Sequence, residues 1–159
     1  NTDNRFSLTR FANVAHSNGS VLPFWLKLKK EGKALKLTDP NMNRLIFTQK
    51  DAAELIKRTI DYTKTDGGGF VMSYKMKCVN MLDLAKVISD DIEIVGKRPG
   101  EKTNEDLISA SEVERTYIHG NDILIRNEIN LDANTLSSPY NSKTAEKMSK
   151  DEMKALVWG

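Results

Sequence analysis

The chain has 159 residues, of which 39% are hydrophobic and 29% are charged, and its formal net charge is +2. This length corresponds to one domain of ordinary size or to part of a larger one, and the mild charge argues against a nucleic-acid partner. A single cysteine excludes an internal disulfide framework, the two histidines show no metal-ligand spacing, and no apolar run reaches bilayer length. We therefore expect a soluble, cytoplasmic protein with no metal site and no membrane span.

The first predicted elements are a strand and a helix. The chain opens without methionine, on a polar stretch that runs directly into residues 5–14, which have the apolar and sheet-favouring side chains of a strand. We interpret this opening as a cut inside a larger protein. Ser20 is placed to cap a helix over residues 21–31, with Pro23 tolerated in its first turn and Gly32 just after its end.

The only basic cluster runs along this helix and the short strand predicted over residues 35–38. It consists of Lys27, Lys29, Lys30, Lys33 and Lys36. Because leucines interrupt the cluster, we interpret it as the solvated side of the two elements. A nucleic-acid patch is the less favoured alternative.

A turn at residues 39–41, a strand over residues 44–48 and a second helix follow. Thr48 begins this helix, with Asp51 at the capping-box position. Its buried stripe is predicted from helical spacing. The stripe consists of Ala52, Ala53, Leu55, Ile56 and Ile60.

Residues 67–69 are three glycines, which we interpret as a mobile turn because a helix start, needed for a phosphate loop, does not follow. A strand is predicted over residues 70–74. Asn80 is then placed to cap a helix over residues 81–89.

The stretch from Ile92 to Glu105 is the most informative part of the chain. A short alternating strand ends at Gly96, and Arg98 follows on a stiff turn formed by Pro99 and Gly100. An arginine held on such a corner is suited to bind phosphate or carboxylate through its planar fork. The alternative is a surface turn with solvated charges.

The last third of the chain is predicted to be helical in pieces over residues 105–117, with Ser111 and Glu114 as a capping box. A strand over residues 123–126 and an extended loop over residues 130–142 come next. A second capping box, Ser149 with Glu152, opens the final helix. The alternation of strands and helices predicts an α/β chain.

Four stretches stand in a definite order: TRFANV at residues 9–14, SNGSVLP at 17–23, TDPNMNR at 38–44 and RPGEK at 98–102. Together they resemble the C-terminal half of the extended short-chain dehydrogenase/reductases that modify nucleotide sugars. The resemblance points most closely to the UDP-N-acetylglucosamine 4,6-dehydratases of bacterial surface-polysaccharide synthesis, and it covers nearly all of the chain.

The resemblance implies the substrate-binding C-terminal part of a Rossmann-type α/β fold, with the NAD-binding half absent. Residues 1–159 would form a single nucleotide-sugar-binding region. Within it, residues 1–34 would complete the Rossmann sheet and its adjoining helix, and residues 35–159 would form the substrate subdomain.

The resemblance also implies a set of residues that bind the UDP-sugar. By this resemblance, the diphosphate is contacted by Asn13, Arg44 and Arg98. Glu101 would lie near the ribose. The uracil would be walled by Ser20, Val21 and Pro23. Two guanidiniums suit a diphosphate physically because each binds oxygens bidentately. The alternatives are that Asn13 is only a turn residue and that Arg44 is only an exposed charge at the end of a strand.

The sequence departs from the family pattern at several positions that belong to the substrate half of the site. These are Phe11, Ala12, Asn18, residues 43–45, Thr103 and Asn104. They leave the identity of the sugar open.

Two family features are missing from the chain: the glycine-rich dinucleotide fingerprint and the catalytic Tyr-x-x-x-Lys pair. We therefore expect no catalytic residue in this chain, no bound cofactor and no activity by the chain alone. In the parent protein the resemblance implies NADP or NAD as cofactor and a homo-oligomer.

The resemblance implies that the parent oxidises C4 of a UDP-sugar, eliminates water across C5 and C6, and returns the hydride to C6. A UDP-sugar 4- or 5-epimerase uses the same binding residues. A non-catalytic nucleotide-binding module and a purely structural α/β domain are alternatives of other classes. The sugar, the stereochemistry at C5, the choice between NAD and NADP and the oligomeric state stay open.

Overall fold

The structure is a computed structural model, and it describes residues 4–129 and 134–159. In chain order the strands are β1 Leu8–Thr9, β2 Asn13–Val14, β3 Leu35–Leu37, β4 Asn43–Phe47, β5 Phe70–Tyr74, β6 Cys78–Asn80, β7 Ile92–Ile94, β8 Asp106–Ile108, β9 Thr116–His119, β10 Asp122–Arg126 and β11 Tyr140–Asn141. The helices are α1 Val21–Lys30, α2 Gln49–Asp66, α3 Met81–Ile88 and α4 Lys150–Trp158, together with a 3-10 helix over Ala110–Arg115.

The chain folds into two units, each assembled from separate stretches of sequence. The first unit takes residues 1–11, 50–75 and 106–140, and the second takes residues 12–49, 76–105 and 141–159. The sequence predicts a different boundary, at residue 34, between a part that completes the Rossmann sheet and a substrate subdomain. That boundary concerns the sheet of a larger protein and stays a prediction. Among the described residues, no helix combines the length and apolar character needed to cross a bilayer.

The first unit contains a mixed four-stranded sheet in the order β1-β5-β10-β9. Strand β1 runs parallel to β5, and β10 runs antiparallel to both of its neighbours. Residues 120 and 121 join β9 to β10, so that His119 pairs with Asp122. The strands predicted over residues 70–74 and 123–126 are therefore confirmed, and β9 replaces part of a stretch predicted to be helical.

The stripe predicted for α2 is only partly buried. Ala52 and Leu55 are buried as expected, but Ala53 is exposed, and Ile56 and Ile60 are 44% and 49% exposed. Thr59 takes the next buried position on the helix. Spacing shows that residues share a face of a helix, but it does not show that another element covers that face. Here Ile56 and Ile60 line an open groove with Phe6.

The triple glycine makes a close backbone contact within the first unit. The Gly69 N–H donates to the Phe6 carbonyl at 2.7 Å. A Cβ atom on Gly68 would lie 2.9 Å from that carbonyl oxygen, and φ at this residue is +82°. The chain turns here through glycines with positive φ, and Gly68 and Gly69 pack closely against Phe6. The mobility predicted for this turn stays a prediction.

The second unit contains a three-stranded sheet, β2-β4-β6, and a parallel pair, β3-β7. Apolar faces of α1, α3 and α4 pack together with these strands into one core. The largest fully buried members of this core are Leu22, Trp25, Leu35 and Leu84. Because the Trp25 indole N–H donates to the Lys36 carbonyl at 2.9 Å, its one polar atom is satisfied inside the core.

The single strand predicted over residues 5–14 is wrong. The structure breaks it into β1 and β2, which pair with different strands in different units. At the break, the Arg10 guanidinium forms a bidentate pair with the Glu112 carboxylate, with N–O distances of 2.8 and 3.0 Å. Alternation of apolar residues therefore did not reveal that the chain passes from one sheet to another there.

Most of the predicted helix ends are confirmed. The Asn80 side chain accepts hydrogen bonds from the N–H groups of Leu82 and Asp83 at the start of α3. Ser149 and Glu152 form the reciprocal capping box of α4. Beyond α1, the Gly32 and Lys33 N–H groups bond back to the Lys29 and Leu28 carbonyls, which is the Schellman arrangement.

The cap predicted from Ser20 is wrong. Ser20 has the backbone conformation of an N-cap, but its hydroxyl accepts no backbone hydrogen bond. The cause lies three residues on, where Pro23 has no N–H to donate. The Ser20 Oγ is buried without a hydrogen-bond partner among the described residues.

The capping box predicted from Ser111 and Glu114 is also wrong, and so is the helical start of that region. Residues 106–108 form β8, and the 3-10 helix that follows has Ser109 at its N-cap. Glu112, rather than Glu114, reaches back to the Ser109 N–H at 3.0 Å. The pair is shifted by two residues, and the same Glu112 carboxylate also binds Arg10.

The contrast between the two serine N-caps predicts opposite mutational outcomes. Ser149→Ala removes a hydrogen bond to the Glu152 N–H, so we expect a loss of about 1 kcal/mol in the free energy of unfolding. Ser20→Ala removes no hydrogen bond and should change that free energy by less than about 0.5 kcal/mol. Urea denaturation of both variants checks this, and an equal loss in both would contradict the orphaned hydroxyl.

The Arg10–Glu112 pair predicts a pH dependence of stability. The hydrogen bonds from Arg10 lower the pKa of Glu112 from 4.5 to about 2. The stabilisation is therefore fully present above about pH 4.5, the unfolded-state value, and is lost as the pH falls toward 2. Glu112→Gln should cost on the order of 1–3 kcal/mol at pH 7 and flatten the acid limb of the unfolding curve.

Glu114→Gln is the matched control for this prediction, because Glu114 lies on the same 3-10 helix and is exposed. Thermal melts of both variants from pH 7 to pH 2 measure the difference. Parallel losses with pH in the two variants would show that the pair with Arg10 does not carry the effect.

Candidate functional site

A cavity of about 850 Å³ lies within the second unit, at the end of α1 where the helix begins. Apolar side chains of the core, among them Leu22 and Trp25, form part of its wall. All seven predicted site residues line it: Asn13, Ser20, Val21, Pro23, Arg44, Arg98 and Glu101. The fold thus brings residues separated by as many as 88 positions of sequence, from 13 to 101, to one concavity.

Arg44 is a buried charge, with only 8% of its surface exposed. Its Nη1 donates to the main-chain carbonyls of Asn43 at 2.9 Å and Thr103 at 3.3 Å. Its Nε lies 3.4 Å from a carboxylate oxygen of Glu105. The alternative of an exposed strand-end charge is therefore wrong, because burial of a guanidinium requires these partners.

Asn13 lies at the start of β2, paired in parallel with Ile46 of β4. Its side-chain Nδ2 donates to the Leu45 carbonyl at 3.0 Å and approaches Glu105 Oε2 at 3.4 Å. Asn13 is thus held on the sheet, with its amide directed toward the same carboxylate that pairs with Arg44.

Arg98 occupies the first position of a tight turn. The Glu101 N–H donates to the Arg98 carbonyl at 3.0 Å, and Gly100 has φ of +80°, as a type II turn with Pro99 at its second position requires. The predicted corner is confirmed, although β7 ends at Ile94, before it. Arg98 is exposed, and its guanidinium has no hydrogen-bond or ion-pair partner within residues 4–129 and 134–159.

Glu101 fixes this corner. One carboxylate oxygen accepts from the Arg98 N–H at 3.1 Å, and the other accepts from the Thr38 hydroxyl at 3.2 Å. Because Thr38 follows directly after β3, the Glu101 side chain ties the turn to the end of that strand. The ribose contact expected for Glu101 stays a prediction.

Lys97 fixes the other side of the corner. Its ammonium lies 2.8 Å from Asp39 Oδ2, and the hydrogen bond between them lowers the pKa of Asp39. Asp39 in turn accepts from the Asn41 N–H at 2.8 Å, which confirms the turn predicted at residues 39–41. Lys97 is therefore engaged with the protein, whereas its neighbour Arg98 is available to a ligand.

The three residues expected to wall the uracil lie at the beginning of α1. Val21 is partly buried and Pro23 is exposed at the cavity. The Ser20 Oγ is buried, so Ser20 lines the cavity without presenting its hydroxyl to it.

Sequence reasoning missed several residues of the site. Lys27 and Lys36 line the cavity and add positive charge, and Phe24 and Thr38 line it as well. Glu105 does not line the cavity itself, but its carboxylate contacts two residues that do, Asn13 and Arg44. It was missed although it stands in the most informative stretch, seven residues after Arg98. Its signal was weak because the partners that define it, Asn13 and Arg44, are remote in sequence.

Cys78 packs as predicted and carries no chemistry at this site. Its Sγ donates to the Ala145 carbonyl at 3.3 Å, and burial raises the pKa of the thiol. The nearby Lys77 ammonium is bound by Glu146 and Glu152 instead. Among the described residues, no group of three or more His, Cys, Asp or Glu side chains is arranged to hold a metal ion.

Comparison with known proteins identifies the family of this chain. The profile of the family described as polysaccharide biosynthesis protein matches residues 1–127. The chain belongs to this family.

Individual relatives carry several names. A protein of Methanocaldococcus jannaschii named as an uncharacterized membrane protein is 32% identical, over 96% of this chain and 49% of its own length. The UDP-N-acetylglucosamine 4,6-dehydratase (inverting) of Campylobacter jejuni is 34% identical, over 74% of this chain and 35% of its own length. The UDP-glucose 4-epimerase of Rickettsia rickettsii is 32% identical, over 68% of this chain and 33% of its own length.

A solved structure confirms the fold class. The X-ray structure of Pen from Bacillus thuringiensis superposes with a TM-score of 0.82 at 29% identity, over 96% of this chain and 48% of that one. The α/β fold expected for part of an extended short-chain dehydrogenase/reductase is therefore confirmed. The chain spans about half of the length of this structure and half or less of the relatives above.

The corner that carries Arg98 predicts a conformational test. Gly100→Ala places a side chain at φ of +80°, where it meets no neighbouring atom, so only the backbone strain counts. We expect a loss of about 1 kcal/mol in the free energy of unfolding. Gly100→Asn should lose less, since asparagine tolerates this conformation. Urea titration of both variants measures it, and equal stability of Gly100→Ala and the unsubstituted chain would contradict the turn assignment.

Proposed function

We propose that this chain is the part of a nucleotide-sugar-modifying enzyme that binds the UDP-sugar. The observation that carries the proposal is the one cavity lined by all seven predicted site residues, which come from the four family motifs. It combines a partly apolar wall with positively charged groups, which is the chemistry that a base and a diphosphate require together.

In this proposal Arg44 and Arg98 bind the diphosphate in different ways. Arg44 is held in place by main-chain carbonyls, so it presents a fixed positive charge with little loss of side-chain entropy. Arg98 stands on a stiff turn with its guanidinium unpaired by described residues, so it is able to close on the second phosphate. Asn13 completes the set, and Glu101 meets the ribose beside it.

The uracil is proposed to lie at the start of α1, against Val21 and Pro23. Ser20 contributes its backbone there, because its hydroxyl is buried. The sugar itself extends toward the positions at which this sequence departs from the family pattern.

For the whole protein we propose the activity of a UDP-N-acetylglucosamine 4,6-dehydratase of surface-polysaccharide synthesis. The Campylobacter relative that carries this name supports the choice. The Rickettsia relative named as an epimerase favours the second candidate, a UDP-sugar epimerase with the same binding residues. A third candidate, a nucleotide-binding module without chemistry, is distinguished from both by the absence of any product.

The cofactor and the catalytic groups also belong to this proposal. NADP or NAD would be bound by parts of the protein other than the residues described above. On this view the 159-residue chain alone turns over no UDP-sugar, and the whole protein acts in the cytoplasm as a homo-oligomer. Incubation of the whole protein with several UDP-sugars, followed by NMR of the products, separates dehydratase, epimerase and binding module.

The site assignment is tested by calorimetry with UDP on the 159-residue chain. Arg98→Ala removes a cation that makes no side-chain bond to described residues, so the variant should fold as the unsubstituted chain does. Affinity for UDP should fall by about 1.5–3 kcal/mol, and Arg44→Ala should lose a similar amount. Arg98→Lys should recover only part of the loss, because lysine keeps the charge without the planar fork.

Two controls make this measurement specific. Lys30→Ala removes an exposed charge of α1 that does not line the cavity, and it should leave affinity for UDP unchanged. Uridine, which has no phosphate, should bind equally to Arg98→Ala and to the unsubstituted chain. Equal UDP affinity in both arginine variants and the unsubstituted chain would remove the site assignment.

A further inference from the structure

The Glu105 carboxylate lies between the two side chains that the proposed function assigns to the diphosphate. Its Oε1 is 3.4 Å from Arg44 Nε, and its Oε2 is 3.4 Å from Asn13 Nδ2. Each oxygen of one anionic group thus faces a different donor. This is the arrangement that two oxygens of a bound phosphate would adopt against the same donors.

Glu105 also occupies hydrogen-bond donors of Asn13 and Arg44 that a bound phosphate would need. The Asn13 amide has two hydrogens, and the structure directs them to the Leu45 carbonyl and to Glu105. Arg44 Nη1 is occupied by the carbonyls of Asn43 and Thr103, so its Nε is the donor that faces Glu105. A phosphate that reaches these donors has to take the place of the carboxylate.

The backbone of Glu105 is fixed, whereas its side chain is only loosely held. The Glu105 N–H donates to the Ser142 Oγ at 3.0 Å, and the Ser142 N–H donates to the Glu105 carbonyl at 3.0 Å. In contrast, both carboxylate contacts are at the long limit of a hydrogen bond, and the side chain is 46% exposed. Rotation of the side chain into solvent therefore breaks two weak contacts and leaves the main chain in place.

We propose that Glu105 is an exchangeable internal anion, which occupies the diphosphate position in the empty site and leaves it when the nucleotide binds. This inference rests on the proposed function. In the empty site Glu105 balances the buried charge of Arg44, which would otherwise lack a negatively charged partner. In the occupied site a carboxylate beside a diphosphate would repel it, so the side chain turns outward.

The proposal makes Glu105 a competitor of the ligand, and removal of its charge should tighten binding. Glu105→Gln keeps the size of the side chain and removes the charge. We expect its Kd for UDP, measured by calorimetry at low salt, to be three- to tenfold lower than that of the unsubstituted chain, while its Kd for uridine stays the same. Glu93→Gln is the matched control, since Glu93 is an exposed carboxylate on β7 that forms no ion pair with Arg44, and its affinity should not change.

Unchanged or weaker UDP binding by Glu105→Gln overturns the proposal, and weaker binding would make Glu105 a group that positions Arg44. If the variant fails to fold, NMR of the unsubstituted chain decides the question. Saturation with UDP should move the Glu105 side-chain carboxyl signal to that of a solvated glutamate and shift the Asn13 side-chain amide signals. A Glu105 signal that does not move while UDP saturates the site overturns the proposal equally.

UDP affinity distinguishes the role of Glu105 from the proposed function of the site. UDP binding that is absent, or that does not depend on Arg98, removes the proposed function itself. UDP binding that depends on Arg98 and does not tighten in Glu105→Gln removes only the role of Glu105.

Discussion

The Thr103 carbonyl is the point on which the organisation of the site depends. It accepts a hydrogen bond from the Asn43 N–H at 2.9 Å and from Arg44 Nη1 at 3.3 Å. One main-chain oxygen thus joins the first residues of β4 to the segment that contains Arg98, Glu101 and Glu105. The same contact satisfies one donor of the buried Arg44 guanidinium. A charge inside a protein is tolerated only when its donors have partners.

Near the Thr103 carbonyl, some charged side chains are held by protein partners and others are not. Glu101 and Lys97 hold the corner against the end of β3, through Thr38 and Asp39 respectively. Their charges are used inside the protein, and this leaves the Arg98 guanidinium facing solvent on a stiff support. A site built in this way presents one immobile and one adaptable cation, and a loosely bound carboxylate stands between the donors.

Local signals in the sequence were reliable where the partner lay within one turn of helix or within one tight turn. Asn80, the Ser149–Glu152 pair and the Pro99–Gly100 corner all have the predicted geometry, since each involves residues two or three positions apart. Ser20 failed for a reason that is also local, because Pro23 removes the N–H that an N-cap hydroxyl commonly binds. Ser111 is not a cap, and the carboxylate that completes the observed capping box, Glu112, has a further partner in Arg10 across 102 positions of sequence.

The sequence by itself determined the α/β class, most of the helix and strand positions in the middle of the chain, and the identity of seven of the residues that line the cavity. It did so because residue type, turn chemistry and the order of the four motifs are properties of the chain alone. Only the tertiary structure decided that residues 5–14 divide between two sheets, that Ile56 and Ile60 stay exposed, and that Glu105 approaches Asn13 across 92 positions. The physical reason is that burial and ion pairing depend on which remote element packs against a residue, and neither periodicity nor spacing contains that information.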